Sequence, residues 1–208
     1  LYFSIGDRGE MDDAQDLLKP NGKIHRVYQN GDIPHDNPFT NKDGSKNSIW
    51  SYGNRNPQGL TKDISGTIWE LEHGPRGGDE LNIIEKGNNY GWPRITYGIN
   101  YNGTKITDET HKEGMEQPVW HWTPSIAVCG MKFYYGELFQ PWTGDILVTS
   151  LKFEYLERVV IQDGKRIDSE IIYEAGSRVR DVEVSEGGEI FVALEQPGRI
   201  VKLTKINN

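Results

Sequence analysis

The sequence predicts an all-β fold arranged as most of a β-propeller. Three observations carry this. Short apolar or alternating runs are bounded by Gly, Asn, Asp and Pro, helical periodicity is nearly absent, and one strand motif recurs along the chain. Six tryptophans and ten tyrosines suit a strand-rich protein. Only Asp12 to Lys19 could form a turn or two of helix. The recurring motif opens on Gly-x-Ile: GTIWELEHG from Gly66, GDILVTSLK from Gly144 and GEIFVALEQ from Gly188, with LYFSIGD at Leu1 fitting the same pattern. Aligning Leu1, Ile68, Ile146 and Ile190 puts Asp7, Gly74, Lys152 and Gln196 at one offset, where each apolar strand gives way to polar residues. Those exits are expected on a single rim. Ahead of three of these strands run SYGNRNPQGL, WHWTPSIAVCGMKFYY and SRVRDVEV, so each repeat has a strand or strand entry before it. Repeated units of roughly 40 to 50 residues match a minimal four-stranded blade. A β-sandwich with coincidental Gly-x-Ile hairpins is the competing reading, and the repeats favour the propeller.

A chain of 208 residues with 35% hydrophobic content can bury one substantial core, and a single domain over residues 1–208 is expected. The formal charge of -8, from 23 basic against 31 acidic residues of scattered sign, argues against a nucleic-acid or anionic-membrane surface. A polar or small-molecule partner is expected instead. No long apolar span occurs, so no membrane insertion is expected. Cys129 stands alone, which rules out an internal disulfide. LYFSIGD reads as the middle of a strand and carries no initiator methionine, which suggests the ordered part of a longer chain.

Several motifs point to a ligand. NRNPQG (residues 54–59) combines the planar donor fork of Arg55 with the amides of Asn56 and Gln58; a capped turn with a surface arginine explains it equally simply. In SRVRDV, Arg178 and Arg180 share one face of a strand while Val179 and Val182 take the other. Two neighbouring guanidiniums repel, so either a bound anion lies between them or Asp181 and nearby glutamates neutralise them. Lys152 ends another of the aligned strands. With Arg55, Arg178 and Arg180 on the same rim it would form a positive pocket in an acidic protein, selecting a ligand with several carboxylates or phosphates. His73, Gly74 and Pro75 sit at a further exit. Glycine lets a carbonyl approach closely and proline offers a carbonyl without a competing N–H, and such oxygens are ligands of the kind Ca²⁺ takes. His25, His35, His111 and His121 are scattered, Asn30 to Phe39 reads as a long turn, and GNNYGWP (residues 87–93) as a tight turn that buries Trp92.

DIPHDNPF, IWSYGNRNPQGL, EHGPRGGDELNIIEKGNNYGWP, PSIAVCGMKFY and RVRDV, in this order and within a match from Leu1 to about Leu203, closely resemble the soluble aldose sugar dehydrogenases of the glucose/sorbosone dehydrogenase family. The resemblance implies a six-bladed propeller, of which this chain would cover about four blades with the N-terminal part missing, and the cofactors pyrroloquinoline quinone (PQQ) and Ca²⁺. Residue by residue, it implies that Gly74 and Pro75 offer carbonyls to the calcium that bridges protein and PQQ. Lys152, Arg178 and Arg180 would hold the cofactor's carboxylates and quinone oxygens. Asn56, Gln58 and His73 would line its pocket, Arg55 would sit near the reactive carbonyl and Trp120 over the substrate cleft. Glu80 and Tyr90 would form a second, structural calcium site. The implied activity is oxidation of an aldose sugar at C1 to the lactone, with electrons passed to an external acceptor, in the periplasm or outside the cell. The general base would be a histidine upstream of Leu1, oriented by Asp7. A non-catalytic propeller of the same lineage that binds a ligand or a protein is the alternative.

Overall fold

The computed structural model describes residues 1–205; the last three residues of the expected domain lie outside the described residues. Strands form four antiparallel sheets in which sequence neighbours are spatial neighbours. The first holds β1 (Tyr2–Ile5), β2 (Lys23–Arg26) and β3 (Ile49–Tyr52). The second holds β4 (Pro57–Lys62), β5 (Ile68–Glu72), β6 (Asp79–Ile84) and β7 (Trp120–Trp122). In the third lie β8 (Val128–Phe133), β9 (Ile146–Ser150), β10 (Tyr155–Gln162) and β11 (Lys165–Glu174). The fourth is β12 (Val179–Val184), β13 (Ile190–Leu194) and β14 (Arg199–Leu203). Across the sheets β1 meets β4, β4 meets β8, and β8 meets β12, so the leading strands face one another as in consecutive propeller blades. Among the described residues helix is limited to two 3-10 turns, and none is long and apolar enough to cross a membrane. One of them, Met11–Gln15, occupies the segment where the sequence predicts a turn or two of helix.

The Gly-x-Ile repeats become β5, β9 and β13, the second strands of their sheets, while β1 leads its own. Their glycines turn the chain in the left-handed region, with φ of 91° at Gly66, 92° at Gly144 and 86° at Gly188. The apolar positions of each strand fill the space between sheets. Trp69, Leu71, Leu81 and Trp122 of the second sheet pack on Val128, Met131, Phe133, Ile146 and Val148 of the third, and Trp69 meets Phe133 edge to face at 5.4 Å. Leu147 and Leu156 of the third sheet pack on Val179, Val182, Ile190 and Val192 of the fourth.

Simple alternation fails in one place. Val179 and Val182 are both buried although three residues apart, because a register shift between Val179 and Asp181 turns Arg180 and Asp181 outward together. Asn30 to Phe39 is an irregular turn, closed by Asn37 Nδ2, which donates to Arg26 O and Asn47 O at 2.9 Å each.

Candidate functional site

The strand exits meet at one rim. Asp7, Arg55, Asn56, His73, Trp92 and Tyr101 line a cleft of about 370 Å³. A second hollow of about 590 Å³ is lined by His73, Gly74, Pro75, Tyr101, Ser125 and Lys152, so His73, Pro75 and Tyr101 form a wall common to both. Three of the four aligned exits, those at Asp7, Gly74 and Lys152, thus open on adjoining space.

Asp7 is nearly buried and tightly held: its N–H donates to Arg55 O at 2.7 Å, while Oδ2 accepts from Trp92 Nε1 at 2.9 Å and Oδ1 from Gly9 N at 3.0 Å. Arg55 Nη1 donates to His73 O at 2.9 Å and Gly74 O at 3.2 Å, and its guanidinium lies 5.4 Å from the Trp92 ring. Its main-chain N–H donates to Glu72 Oε2 at 2.5 Å. The neighbouring Asn56 lines the same cleft, and Gln58 is exposed and donates to Asn56 Oδ1 at 3.2 Å.

His73 has both ring nitrogens engaged. Val128 O can only accept, so Nε2, 2.5 Å away, carries the proton and Nδ1 faces the Asn56 amide at 3.4 Å. Burial lowers the imidazole pKa, and the Arg55 and Arg180 charges add to this against the opposing pull of Asp79. A neutral imidazole with both nitrogens occupied is a wall, not a base.

Arg178 and Arg180 converge on one carboxylate oxygen: Glu195 Oε2 accepts from Arg180 Nε at 2.9 Å and forms an ion pair with Arg178 Nε at 3.2 Å. The neutralising anion is Glu195 from the end of β13, whereas the sequence pointed first to Asp181, which the register shift turns away. Two cations against one anion leave a net positive charge. Arg180 also reaches Cys129, whose thiol is pushed up by burial and eased down by the guanidinium.

Behind Gly74 lies a small void, about 10 Å³, lined by Glu72, Gly74, Gly78, Glu80, Tyr90 and Thr96. Glu70, Glu72 and Glu80 crowd this region with the Asn82 amide, which donates at 3.1 Å, 3.4 Å and 3.4 Å respectively. Burial pushes all three carboxyls up, Glu72 to about 7, with mutual repulsion adding at Glu70 and Glu80. Glu70 Oε1 and Asn82 Oδ1 are buried without a partner. Tyr90 commits its hydroxyl, donating to Ile83 O at 2.6 Å and accepting from Glu85 N at 2.8 Å, which leaves its main-chain carbonyl as the group a cation would use.

The chain matches the Glucose / Sorbosone dehydrogenase family over residues 1–202. It belongs to that family. It is 41% identical over 213 aligned residues to the aldose sugar dehydrogenase YliI of Escherichia coli (strain K12), covering 100% of this chain and 57% of that protein. A crystal structure of a glucose dehydrogenase superposes with a TM-score of 0.95 at 37% identity, over 99% of this chain and 61% of that one. The PQQ-bound aldose sugar dehydrogenase of Streptomyces coelicolor superposes with a TM-score of 0.77 at 27% identity, over 98% of this chain and 57% of that one. The chain therefore spans less than two thirds of each of these relatives.

Within this glucose/sorbosone dehydrogenase chain, Trp120 stands apart from the two clefts. It lines a neighbouring groove with Trp122, Pro124 and Phe153 that meets the second hollow at Pro124, and Arg166 covers its ring at 3.8 Å. Sequence reasoning passed over Trp92, Tyr101 and Asp79. GNNYGWP gives burial of Trp92 but nothing in it signals an indole N–H aimed at Asp7, 85 positions earlier. Asp79, beside Glu80 in GGDE, was legible as an acidic residue of that loop.

Proposed function

We propose that this chain is part of a PQQ- and calcium-dependent aldose dehydrogenase, a six-bladed propeller of which the sequence supplies about four blades. It would oxidise an aldose sugar at C1 to the lactone, pass the electrons to an external acceptor, and work in the periplasm or outside the cell. The supporting observation is the meeting, at one rim, of exits from three sheets that bring carbonyl oxygens and cationic side chains to the same space.

The residues fit both groups. A Cβ on Gly74 would lie 2.1 Å from Gly77 O and 2.4 Å from Gly78 O, so hard oxygens crowd a point that only glycine can occupy. Gly74 and Pro75 would hold one calcium through their own main-chain carbonyls. Glu80 and the Tyr90 carbonyl would hold a second, structural calcium at the void behind them, near which Glu70 Oε1 and Asn82 Oδ1 are buried without a hydrogen-bond partner. Lys152, which lines the second hollow, and the net charge of the Arg178–Arg180–Glu195 trio, felt at His73 through Arg180, suit a polyanionic cofactor. When bound, PQQ with its calcium supplies a two-electron acceptor.

The chain's own residues then have definite work. Asn56, Gln58 and His73 shape the cofactor wall. Gly74 O accepts from Arg55, so a metal on that oxygen would compete with the guanidinium, which would then be free to lie beside the cofactor's reactive carbonyl. Asp7, held by Trp92 and Gly9, would orient the general base that takes the C1 hydroxyl proton, which the family resemblance implies to be a histidine upstream of Leu1; His73 itself has both ring nitrogens engaged. The test is to supply the full-length protein with PQQ, Ca²⁺, an aldose and an electron-accepting dye. Dye reduction is expected, and its absence with every aldose tried, together with an unchanged PQQ spectrum, refutes the proposal. A non-catalytic binding propeller would take up the ligand without reducing the dye.

A further inference from the structure

We propose that Asp79 is the positioning residue that holds the cofactor cradle together, an inference that rests on the PQQ and calcium reading of the site. Asp79 begins β6, is wholly buried, and points its carboxylate across to the segment between β7 and β8. Oδ1 accepts from Gly74 N at 3.0 Å. Oδ2 accepts from Ser125 Oγ at 2.9 Å, Ala127 N at 2.7 Å and Val128 N at 3.3 Å. One carboxylate thus joins the two loops that wall the second hollow.

Each of those contacts reaches a residue of the cradle. Gly74 carries the carbonyl proposed for calcium. Val128, whose N–H Asp79 accepts, turns its own carbonyl to His73 Nε2 and so fixes the ring that separates the two clefts. The segment Ile126–Ala127 in turn receives Leu151 N and Lys152 N, at 2.9 Å on Ala127 O and 3.1 Å on Ile126 O, which sets where the Lys152 side chain starts. Ala127 adopts φ of 54°, a conformation a non-glycine residue keeps only when its surroundings hold it there, and its N–H makes the shortest bond to Asp79. A carboxylate satisfied by four donors needs no cation of its own, so Asp79 can be buried beside a metal site without being a ligand.

Asp79→Asn is the informative variant. An amide keeps one acceptor oxygen but aims an NH₂ at donors, so one of the two loops must come loose. Binding is read by PQQ titration of the full-length protein at saturating Ca²⁺, and the His73 Nε2–H proton resonance is followed by NMR in the cofactor-free protein. We expect PQQ affinity to fall about tenfold or more and the His73 resonance to shift or exchange away. Glu157→Gln is the control, since Glu157 Oε2 accepts from Trp122 Nε1 at 3.1 Å inside the core and Glu157 itself lines neither cleft; it should lower the melting temperature with PQQ affinity unchanged. If Asp79→Asn does not fold, Ser125→Ala removes a single bond to the same oxygen and should weaken PQQ binding several-fold. PQQ affinity within twofold of wild type in the folded Asp79→Asn protein, or in Ser125→Ala where it stands in, overturns the proposal, as does equal weakening by the Glu157 control. If wild type itself binds no PQQ, the cofactor reading fails; the His73 resonance then decides the tether alone, and an unmoved signal in the variant refutes it.

Discussion

Removing Arg180 tests the cationic half of the site most directly. Its Nε and that of Arg178 share Glu195 Oε2, so the trio carries one net positive charge and Arg180→Ala reduces it to zero. A charge-assisted hydrogen bond to a ligand anion is worth about 1.5–3 kcal/mol, so PQQ affinity should fall roughly 10- to 150-fold. Folding stability should hardly change. The two arginine side chains are 48% and 44% exposed, and ion pairs so well solvated contribute about 1 kcal/mol or less. The assay is a titration of the full-length protein with PQQ at fixed Ca²⁺, read by tryptophan fluorescence, beside a urea denaturation of the same samples. Unchanged affinity, or a loss of stability equal to the loss of binding, would remove Arg180 from the site. Wild-type affinity should also weaken as salt rises, because the cradle is open to solvent.

Three further outcomes follow from the geometry. Arg55→Met should tighten Ca²⁺ binding to the PQQ-free protein several-fold in calorimetry, because the guanidinium that competes for Gly74 O is gone; equal or weaker binding contradicts that competition. Trp92→Phe should cost about 1–3 kcal/mol in urea denaturation by leaving Asp7 Oδ2 short of its indole donor, and a cost near zero would mean that water replaces it freely. Burial lowers Lys23 from 10.5 to about 8. Between those values the unfolded chain binds a proton that the folded chain lacks, so this group makes stability rise with pH across the window by about 3 kcal/mol. The rise should vanish in Lys23→Met, and identical pH slopes in the two proteins would refute it.

Much of this was legible because strands obey a period of two and glycine marks their turns. The Gly-x-Ile repeats located three second strands and the common rim, since left-handed glycine and an alternating strand leave local traces. Gly74 and Lys152 were placed by that register alone. What joins strands distant in sequence leaves no such trace. Glu195 as the partner of both arginines depends on β13 lying beside β12, and the outward turn of Asp181 depends on a register shift that alternation does not show. Trp120 illustrates the same limit: WHW marks a strand, yet which cleft its ring faces is set by Arg166 from the β10–β11 hairpin of another sheet.

The charges of the site are sorted by depth, and the sorting itself argues for a paired ligand. Glu70, Glu72 and Glu80 lie in the interior behind the Gly74 loop, while Arg55 and Lys152 line the clefts and the Arg180 charge reaches His73 between them. A cation entering from the rim alone would be repelled by the cations there and would have to displace protons from carboxyls that burial holds toward the neutral form, and an anion alone would meet no metal at the carbonyls. A metal carried in against the carbonyls with an anion covering it satisfies both layers at once. On this argument Ca²⁺ and PQQ should bind with positive coupling: each should raise the other's affinity by the same factor. Titrating PQQ at several Ca²⁺ concentrations, and Ca²⁺ at several PQQ concentrations, measures that factor twice, and independent binding of the two would show that the layered charges do not act as a single site.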